Sequence, residues 1–173
     1  MVNYKVRITL VGPSKSGKSK LANYIADINC KLPEELHPTK GLRILEYDIN
    51  NVKIRNEKST VDVQLWDTSG NDEYSQFWPV FSANTDGLVF IHSNDENAPK
   101  KLDLLYNYFV NQKNISPRVC LVCSFSSEEI KYNLSSKFSK IAQINVDLEG
   151  EGEKFKQEFQ KYVLSVVNNL DNQ

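Results

Sequence analysis

Residues 12–19 read Gly12-Pro13-Ser14-Lys15-Ser16-Gly17-Lys18-Ser19, which matches the pattern G-x-x-x-x-G-K-[ST] in full. A nucleoside triphosphate tail is a dense anion, and proteins hold it with backbone N–H groups, a cation and a metal ion. Gly12 and Gly17 let the chain curl around phosphates because neither carries a side chain. Lys18 is placed to reach the β- and γ-phosphates, and the Ser19 hydroxyl is a ligand for Mg²⁺. These residues predict a phosphate-binding loop.

The flanking sequence has the order that such a loop requires, with a strand before it and a helix after it. We predict a strand over Tyr4–Val11 and a helix over Lys20–Ile28, which places Leu21, Ile25 and Ile28 on one face. A Gly- and Ser-rich turn before an ordinary helix is the alternative, and the flanking pattern favours the phosphate loop. The residues predicted here to bind a nucleotide are Gly12, Ser14, Lys15, Ser16, Gly17, Lys18, Ser19 and Lys20.

Length and charge limit the class of protein. The 173 residues suffice for one domain with a real core, so we treat 1–173 as a single domain. The net charge of −1 gives no reason to expect nucleic-acid binding. We expect no signal peptide, membrane span or lipid anchor, because the chain has no long apolar run, Val2 is not the glycine that N-myristoylation needs, and no prenylatable cysteine lies at the C-terminus.

The three cysteines, Cys30, Cys120 and Cys123, do not form a disulfide framework and favour a reducing, cytoplasmic compartment. Cys120 and Cys123 have the spacing of a metal-binding pair. They lie, however, in the apolar run Val119–Cys123, where residues three apart point to opposite faces of a strand. Buried structural thiols are therefore the favoured interpretation.

Apolar runs alternate with amphipathic segments along the chain. Leu88–Ile91 and Val119–Cys123 are typical of parallel strands that are covered on both faces. The alternating segment 61–66 predicts a more exposed strand. We expect Leu42–Ile49 to pair antiparallel with that segment, across a turn near Asn50-Asn51 or Asn56.

Two segments carry a helical stripe of apolar residues, Lys100–Gln112 and Glu153–Leu170. Strands that alternate with such helices predict a doubly wound α/β domain, whose ligand site lies at the carboxyl ends of the strands. The polar stretches Ser124–Ser139 and Asp147–Glu153 are expected to be loops, the first with a short helix, and both flank the place where a nucleotide base would lie.

Two further motifs point to a metal-assisted phosphate site. Asp67, in Trp66-Asp67-Thr68-Ser69-Gly70, is placed to hold Mg²⁺ opposite Ser19, and the N–H of Gly70 is able to approach the γ-phosphate. Thr39 is predicted to offer its hydroxyl to Mg²⁺ and its N–H to the γ-phosphate, so that a triphosphate orders this segment and a diphosphate frees it. A surface turn with a capping threonine is the alternative for Thr39. The predicted metal ligands are Ser19, Thr39 and Asp67.

Together, the phosphate loop, Thr39 and Asp67–Gly70 resemble the small GTPases of the Ras/Rab superfamily over most of the chain. The chain is also similar to the Rab-like GTPase subunit of the intraflagellar transport B complex, in the segments His37–Tyr47, Leu65-Trp66-Asp67, Phe77-Trp78-Pro79 and Glu158–Tyr162. The resemblance implies a doubly wound, three-layer α/β P-loop fold, with a mostly parallel six-stranded sheet that has one antiparallel edge strand. It further implies GTP or GDP with Mg²⁺ as ligands, coiled-coil subunits of that complex as partners, and a place in the cilium or flagellum.

Asn71 departs from the superfamily pattern, which has Gln after the D-x-x-G glycine to orient the attacking water. Asn is one methylene shorter, so its amide falls roughly 1.3–1.5 Å short of the position of a Gln amide. A misplacement of about 1 Å can lower a rate on the order of a hundredfold. We therefore expect slow intrinsic hydrolysis of GTP.

The residues that would read the base depart further. Ser124-Phe125-Ser126-Ser127 stands where the superfamily has N-K-x-D, so the carboxylate that accepts from guanine is missing, at a cost of roughly 1–3 kcal/mol of selectivity. Phe125 is expected to cover the face of the base. Glu128 or Glu129 is a possible substitute acceptor, although solvated charge at a helix start is the favoured interpretation. The backbone N–H of Val146 is expected to meet the base oxygen, with Asp147 adding an unfavourable like charge.

A partner surface is expected beside the D-x-x-G segment, where the superfamily binds its effectors. We predict that four residues contribute to docking, because Arg, Tyr and Trp are favoured interface anchors: Arg43, Tyr47, Trp78 and Phe81. The alternative is that Trp78 and Phe81 pack under the second helix. Neither His37 nor His92 is expected to be catalytic, because no carboxylate lies at a suitable spacing.

Two rival functions remain open at this level. A P-loop phosphotransferase or ATPase needs mobile arginines over the transferred phosphate, and Arg7, Arg43, Arg55 and Arg118 form no obvious lid. A pseudo-GTPase that serves only as a structural adaptor is the other rival. Lys18 and Ser19 argue against a complete loss of nucleotide binding.

Overall fold

The computed structural model describes residues 2–27, 38–125, 130 and 132–170. Its centre is one sheet of six strands in the order β2-β3-β1-β4-β5-β6. All neighbouring strands are parallel except β2, which pairs antiparallel with β3 at one edge. The strands are β1 (Val2–Val11), β2 (Leu42–Ile54), β3 (Glu57–Thr68), β4 (Gly87–Ser93), β5 (Cys120–Phe125) and β6 (Ala142–Asn145). The doubly wound sheet with one antiparallel edge strand is confirmed.

In the part of the chain that the structure describes, four α-helices follow the strands: α1 (Lys18–Ile25), α2 (Trp78–Ser82), α3 (Ala98–Tyr106) and α4 (Gly152–Leu170). The predicted second and third helical segments differ only in detail, since α3 continues as a π-helix over Asn107–Gln112 and α4 begins one residue earlier than expected. Helix α1 ends at Ile25, and Ile28 lies outside the described residues. Three short 3-10 helices cover Asp72–Phe77, Pro117–Val119 and Ser136–Lys140.

Two apolar layers hold the helices on the sheet. One layer joins α1 and α4 to the alternate strand residues Ile8, Val63, Leu65 and Val89, and it includes Cys123. The other layer joins α2 and α3 to Leu88, Phe90 and Val122, and it includes Cys120. The two cysteines are free and buried on opposite faces of the sheet, as their spacing of three predicts.

The hairpin between β2 and β3 turns at Arg55 and Asn56, whose φ angles of 50° and 68° suit a tight turn between twisted strands. Of the two sequence alternatives, the turn is therefore the one near Asn56. Asn50-Asn51 is instead an irregularity in the ladder, where the pairing register shifts between Ile49 and Val52. The strand extends five residues beyond the predicted end because it resumes after this bulge.

Candidate functional site

The phosphate loop lies at the carboxyl edge of the sheet, because β1 ends at Val11 and α1 begins at Lys18. It lines a cavity of about 280 Å³. Thr39 and Gly70 also line the cavity. They are distant from the loop in sequence, but both lie in segments at the same edge of the sheet. Its lining residues are Ser14, Lys15, Ser16, Gly17, Lys18, Ser19, Lys20, Pro38, Thr39, Thr68 and Gly70.

Two positions of the site require glycine because other backbone atoms lie where a Cβ atom would be. A Cβ atom on Gly12 would lie 2.0 Å from the carbonyl oxygen of Ile91, and one on Gly70 would lie 2.4 Å from the nitrogen of Ser14. The obstructing atoms belong to the backbone, so they cannot move aside as the end of a long side chain can. Gly70 thus lies directly against the phosphate loop.

Lys18 is buried beneath the loop. Its Nζ donates to the carbonyl oxygens of Gly12 (3.0 Å) and Pro13 (2.6 Å) and to Oγ of Ser16 (3.3 Å), all of them neutral acceptors. Burial lowers the pKa of Lys18 from 10.5 to about 8, with the charge of Asp67 opposing the shift. A buried ammonium group held by neutral acceptors is a site that an anion would stabilise.

The three predicted metal ligands converge at one side of the cavity. Oγ of Ser19 donates to Oδ2 of Asp67 at 2.7 Å, Oγ1 of Thr39 lies 2.8 Å from Oγ of Ser19, and Thr39 also reaches Oδ2 at 3.4 Å. Asp67 is fully buried, and its other oxygen, Oδ1, has no hydrogen-bond partner. Two hydroxyls and a carboxylate are hard oxygen donors, and Mg²⁺ sites commonly combine so few protein ligands with phosphate oxygens and water. The donor set therefore fits Mg²⁺.

Arg43 joins this cluster, a contact that sequence reasoning missed. Its Nη2 lies 3.0 Å from Oδ2 of Asp67 and its Nε lies 3.2 Å from the same oxygen. The signal was available in the strand pairing, because Arg43 stands directly opposite Asp67 in the antiparallel ladder of β2 and β3. The sequence had assigned Arg43 only to a partner surface.

Asn71 is exposed and begins the 3-10 helix Asp72–Phe77. Its Oδ1 accepts from the backbone N–H of Glu73 at 3.1 Å, and its Nδ2 donates to Oε2 of Glu73 at 3.3 Å. Both ends of the amide are therefore used within the same short segment. This capping role was not foreseen from the sequence, although Asn is a preferred capping residue.

The base end of the site differs from expectation at Val146. Its backbone N–H donates to the carbonyl oxygen of Ser124 at 2.8 Å, and its side chain is buried in the core. Phe125 lies on the phosphate loop, since a Cβ on Gly17 would come within 2.6 Å of its ring. Asp147 accepts from the backbone N–H of Gly150 at 2.9 Å and is exposed. Ser126, Ser127, Glu128 and Glu129 lie outside the described residues.

The predicted partner surface needs correction. Phe81 is only 3% exposed and belongs to the core beneath α2, so it is not a docking residue. Trp78 packs against the rings of Tyr108 and Phe109, with centroids 5.2 and 6.1 Å away. Tyr47 packs against the layer under α1 and α4, and burial raises the pKa of its hydroxyl strongly. For Phe81 the alternative of internal packing is correct, whereas Trp78 is half-buried against these rings.

A different apolar set is exposed beside the site: Ile44 (48%), Phe77 (44%) and Val80 (53%). Tyr74 lies over Gly41, just before β2, and its ring is 6.2 Å from that of Phe77. Val80 follows Phe77 by three residues, the spacing of neighbours on one helical face. Side chains alternate along β2, so Ile44 points to the face of the strand opposite to that of the buried Leu45. We call Ile44, Phe77 and Val80 the apolar patch.

A second cavity, of about 710 Å³, borders the phosphate loop between the 3-10 helix Asp72–Phe77 and α3, and it shares Ser14 and Gly70 with the first. Lys101 of α3 forms an ion pair with Asp72 beside this cavity, and its ammonium lies 5.5 Å from the ring centre of Trp78. The charge of Lys101 also contributes to the lowered pKa of Lys18. No sequence motif had pointed to Lys101.

His92 is a structural residue. It is buried, its Nδ1 lies 2.7 Å from the hydroxyl of Tyr132, and burial lowers its pKa, which favours the neutral ring. His37 lies outside the described residues. Within 2–27, 38–125, 130 and 132–170, no three His, Cys, Asp or Glu side chains cluster as a metal site. Over the same ranges, no helix has the length and apolar character to cross a bilayer.

Comparison with known proteins agrees with this architecture. A family model described as Roc, the Ras of Complex domain of DAPkinase, matches residues 7–126. The intraflagellar transport protein 22 homolog of Danio rerio is 30% identical over 173 residues, which covers 96% of this chain and 92% of that protein. Intraflagellar transport protein 22 of Trypanosoma brucei is 34% identical over 119 residues, or 64% of this chain and 54% of that protein.

A solved structure, the T. brucei IFT22/74/81 GTP-bound crystal structure, superposes on this chain with a TM-score of 0.71 at 26% sequence identity. The match covers 95% of this chain and 98% of that one. The fold, including the sheet edge that carries the site, is therefore shared along almost the whole length.

Proposed function

Because the chain belongs to the intraflagellar transport protein 22 family, whose domain is Ras-like, we propose that it is a guanine-nucleotide-binding subunit of intraflagellar transport. Its nucleotide would be GTP or GDP, held with Mg²⁺. The relatives' names support a place in the cilium or flagellum, and the GTP-bound neighbour supports the choice of nucleotide.

The observation that carries this proposal is the state of Lys18. Its ammonium group is buried under a loop of backbone amides, hydrogen-bonded only to neutral acceptors, with a pKa lowered to about 8. A charge kept in such a position is unfavourable by itself, and phosphate oxygens would relieve it. The N-terminus of α1 begins at the same residue and adds its positive end to the same place.

The metal would be held by the hydroxyls of Ser19 and Thr39 and by the carboxylate of Asp67. Bound there, Mg²⁺ would neutralise charge on the β- and γ-phosphates. The contact between Thr39 and Ser19 would couple the segment around Thr39 to the nucleotide. A diphosphate offers one phosphate fewer, so we propose that this segment is held less firmly in the GDP state.

Recognition of the base would be weak in this chain. The Val146 N–H is already used by Ser124, and Asp147 brings a like charge to the same end. Phe125 is in position to cover a base face, which every base possesses. Hydrolysis would be slow because Asn71 is short and both ends of its amide are engaged by Glu73.

The partners would be subunits like the 74 and 81 proteins that share the solved structure's name, and we propose that they are coiled coils docking on the apolar patch. The patch lies between the start of β2, next to Arg43 at the metal cluster, and the segment after Gly70. A partner bound there would contact both segments that respond to the γ-phosphate, so its affinity would depend on the nucleotide.

The test of nucleotide binding is Lys18→Ala, with Lys53→Ala as the control. Lys53 is an exposed cation on β2 and does not line the phosphate cavity. We expect Lys18→Ala to weaken GDP and GTP binding at least a hundredfold, as loss of a buried charged contact of about 3 kcal/mol would. Lys53→Ala should change the affinity less than about fivefold.

Isothermal titration on refolded, nucleotide-free protein measures both variants. Equal affinities for Lys18→Ala and the wild type would refute the proposed phosphate site.

The test of the docking surface is Ile44→Asp, with Leu104→Asp on α3 as the control, since Leu104 is 52% exposed but lines the second cavity and is not part of the apolar patch. Burying a carboxylate in an apolar interface should weaken binding to the cognate 74 and 81 subunits at least tenfold. Pull-down from co-expressed subunits and titration of the purified complex measure it. Loss of binding by Leu104→Asp alone would move the interface to α3.

A further inference from the structure

Asp67 accepts more hydrogen bonds on one oxygen than a carboxylate oxygen can accommodate well. Oδ2 lies within 3.4 Å of four donors: Oγ of Ser19, Oγ1 of Thr39, and Nε and Nη2 of Arg43. An oxygen offers about two lone-pair directions. Oδ1, in contrast, is buried and accepts nothing. The cluster is therefore crowded around the same carboxylate oxygen that the proposed metal would approach.

The guanidinium is the group that can leave. The side chain of Asp67 is completely buried, whereas that of Arg43 is 40% exposed and comes from β2 at the open edge of the sheet. Its remaining contact in the cluster, from Nη2 to the carbonyl oxygen of Ser19, is long at 3.4 Å. Ser19 is held in the first turn of α1 and Asp67 near the end of β3, so these two ligands cannot retreat as easily.

Charge explains why a cation is kept there. A buried carboxylate without a partner is strongly destabilising, and the described salt bridge of Asp67 is the one to Arg43. A divalent metal would satisfy the same carboxylate. Two cations cannot both lie against Oδ2 without strong repulsion, since the dielectric constant around a buried group is low.

We propose that Arg43 is an intramolecular competitor of the divalent metal: it neutralises Asp67 when no metal is bound, and it must withdraw before Mg²⁺ binds. This inference rests on the proposed metal-assisted nucleotide site. Arg43 would thus lower the affinity of the site for Mg²⁺ without itself contacting the metal. The protein would accordingly need more free Mg²⁺ to retain nucleotide than the ligands Ser19, Thr39 and Asp67 would otherwise require.

The rival interpretation is that Arg43 is only a clamp between β2 and the start of α1. The two roles predict different responses to metal. A clamp makes the variant less stable at every Mg²⁺ concentration, and it leaves the affinity for Mg²⁺ unchanged or weaker. A competitor makes the variant less stable without metal, tightens its affinity for Mg²⁺, and allows metal to restore the stability.

The experiment compares wild type, Arg43→Ala and a control, Lys53→Ala, which removes an exposed cation from the same strand far along the ladder from Asp67. The dissociation rate of a fluorescent GDP analogue is measured over a series of free Mg²⁺ concentrations, and melting temperatures are measured with EDTA and with saturating Mg²⁺. For Arg43→Ala we expect the Mg²⁺ midpoint to fall at least tenfold. Its melting temperature should fall by several degrees in EDTA and approach that of the wild type in Mg²⁺. Lys53→Ala should match the wild type in both measurements.

An unchanged or higher Mg²⁺ midpoint in Arg43→Ala would overturn the inference while leaving the proposed metal site intact. If Mg²⁺ affected nucleotide dissociation in neither protein, the proposed metal site itself would fail, and the inference with it. Should Arg43→Ala not fold, Arg43→Gln serves instead, because it retains a donor for Asp67 without the charge.

Discussion

The phosphate end and the base end of the site are built differently. At the phosphate end, Lys18 donates to Gly12 within the loop, Asp67 of β3 accepts from Ser19 of α1, and Gly70 lies against the loop backbone. At the base end, the residue after β6 donates to β5, from Val146 to Ser124, and Asp147 caps its own loop. One end is shaped around a polyanion, while in the described part of the other end Val146 and Asp147 form hydrogen bonds within the protein. Affinity for phosphates and selectivity for the base therefore depend on separate parts of this chain.

We expect the largest difference between the two ends in how much a glycine-to-alanine substitution lowers the free energy of unfolding. In Gly70→Ala the new Cβ meets backbone atoms of Pro13 and Ser14 at 2.4 Å. In Gly150→Ala, in the loop after β6, it meets the carboxylate oxygen of Asp147 at 2.5 Å, which is the end of a movable side chain. We expect Gly70→Ala to lower the free energy of unfolding by about 3 kcal/mol and Gly150→Ala by less than about 1 kcal/mol.

Urea denaturation of both variants, without nucleotide, measures this contrast. A cost for Gly150→Ala as large as that for Gly70→Ala would mean that the base end is as tightly packed as the phosphate end.

A smaller effect is expected from Asn71→Gln at the phosphate end. The longer side chain moves the amide by about 1.5 Å and releases it from Glu73, so it can orient a water molecule. We expect single-turnover GTP hydrolysis to rise on the order of tenfold with little change in GTP affinity. Asn71→Ser is the control, because it keeps a capping oxygen and lacks the amide. A rate for wild type already equal to that of Asn71→Gln would contradict the expectation of slow hydrolysis.

The smallest effect is expected at the base end, where GTP should be preferred over ATP by less than about tenfold, or about 1.4 kcal/mol. Phe125→Ala should weaken both nucleotides by a similar factor of about fivefold, because a ring covers any base. Titration with GTP, GDP and ATP under one Mg²⁺ concentration measures the ratio. A preference above a hundredfold would show that a group at the base end accepts from guanine after all.

Much of the fold was predictable because it follows from short-range patterns. The phosphate loop, the apolar runs at 88–91 and 119–123 and the stripe along α4 each identify an element without knowledge of its neighbours. The sequence offered two places for the turn, one near Asn56 and one at Asn50-Asn51, because both contain asparagine. The pairing of β2 with β3 decided between them: the turn is at Arg55-Asn56, and Asn50-Asn51 is a bulge.

The partner surface was predicted less well. Residue type favoured Trp78 and Phe81 as anchors, but the same aromatic character also favours the core, and α2 turns Phe81 inward. Alternation would have placed Ile44 opposite to Leu45, yet it does not say which face of an edge strand a helix covers. The burial of Phe81 in α2 and the exposure of Phe77 just before it are set by how this five-residue helix docks.

The sequence by itself predicted a phosphate site at the start of the first helix, because the loop, its lysine and its serine are contiguous in the chain. Only the tertiary structure decided what surrounds that loop. The approach of Asp67 to Ser19 depends on the parallel pairing of β3 with β1, and the approach of Arg43 to the same carboxylate depends on the antiparallel register of β2 with β3. Such contacts join residues far apart in the chain, and their geometry is fixed by packing of the sheet rather than by any local pattern.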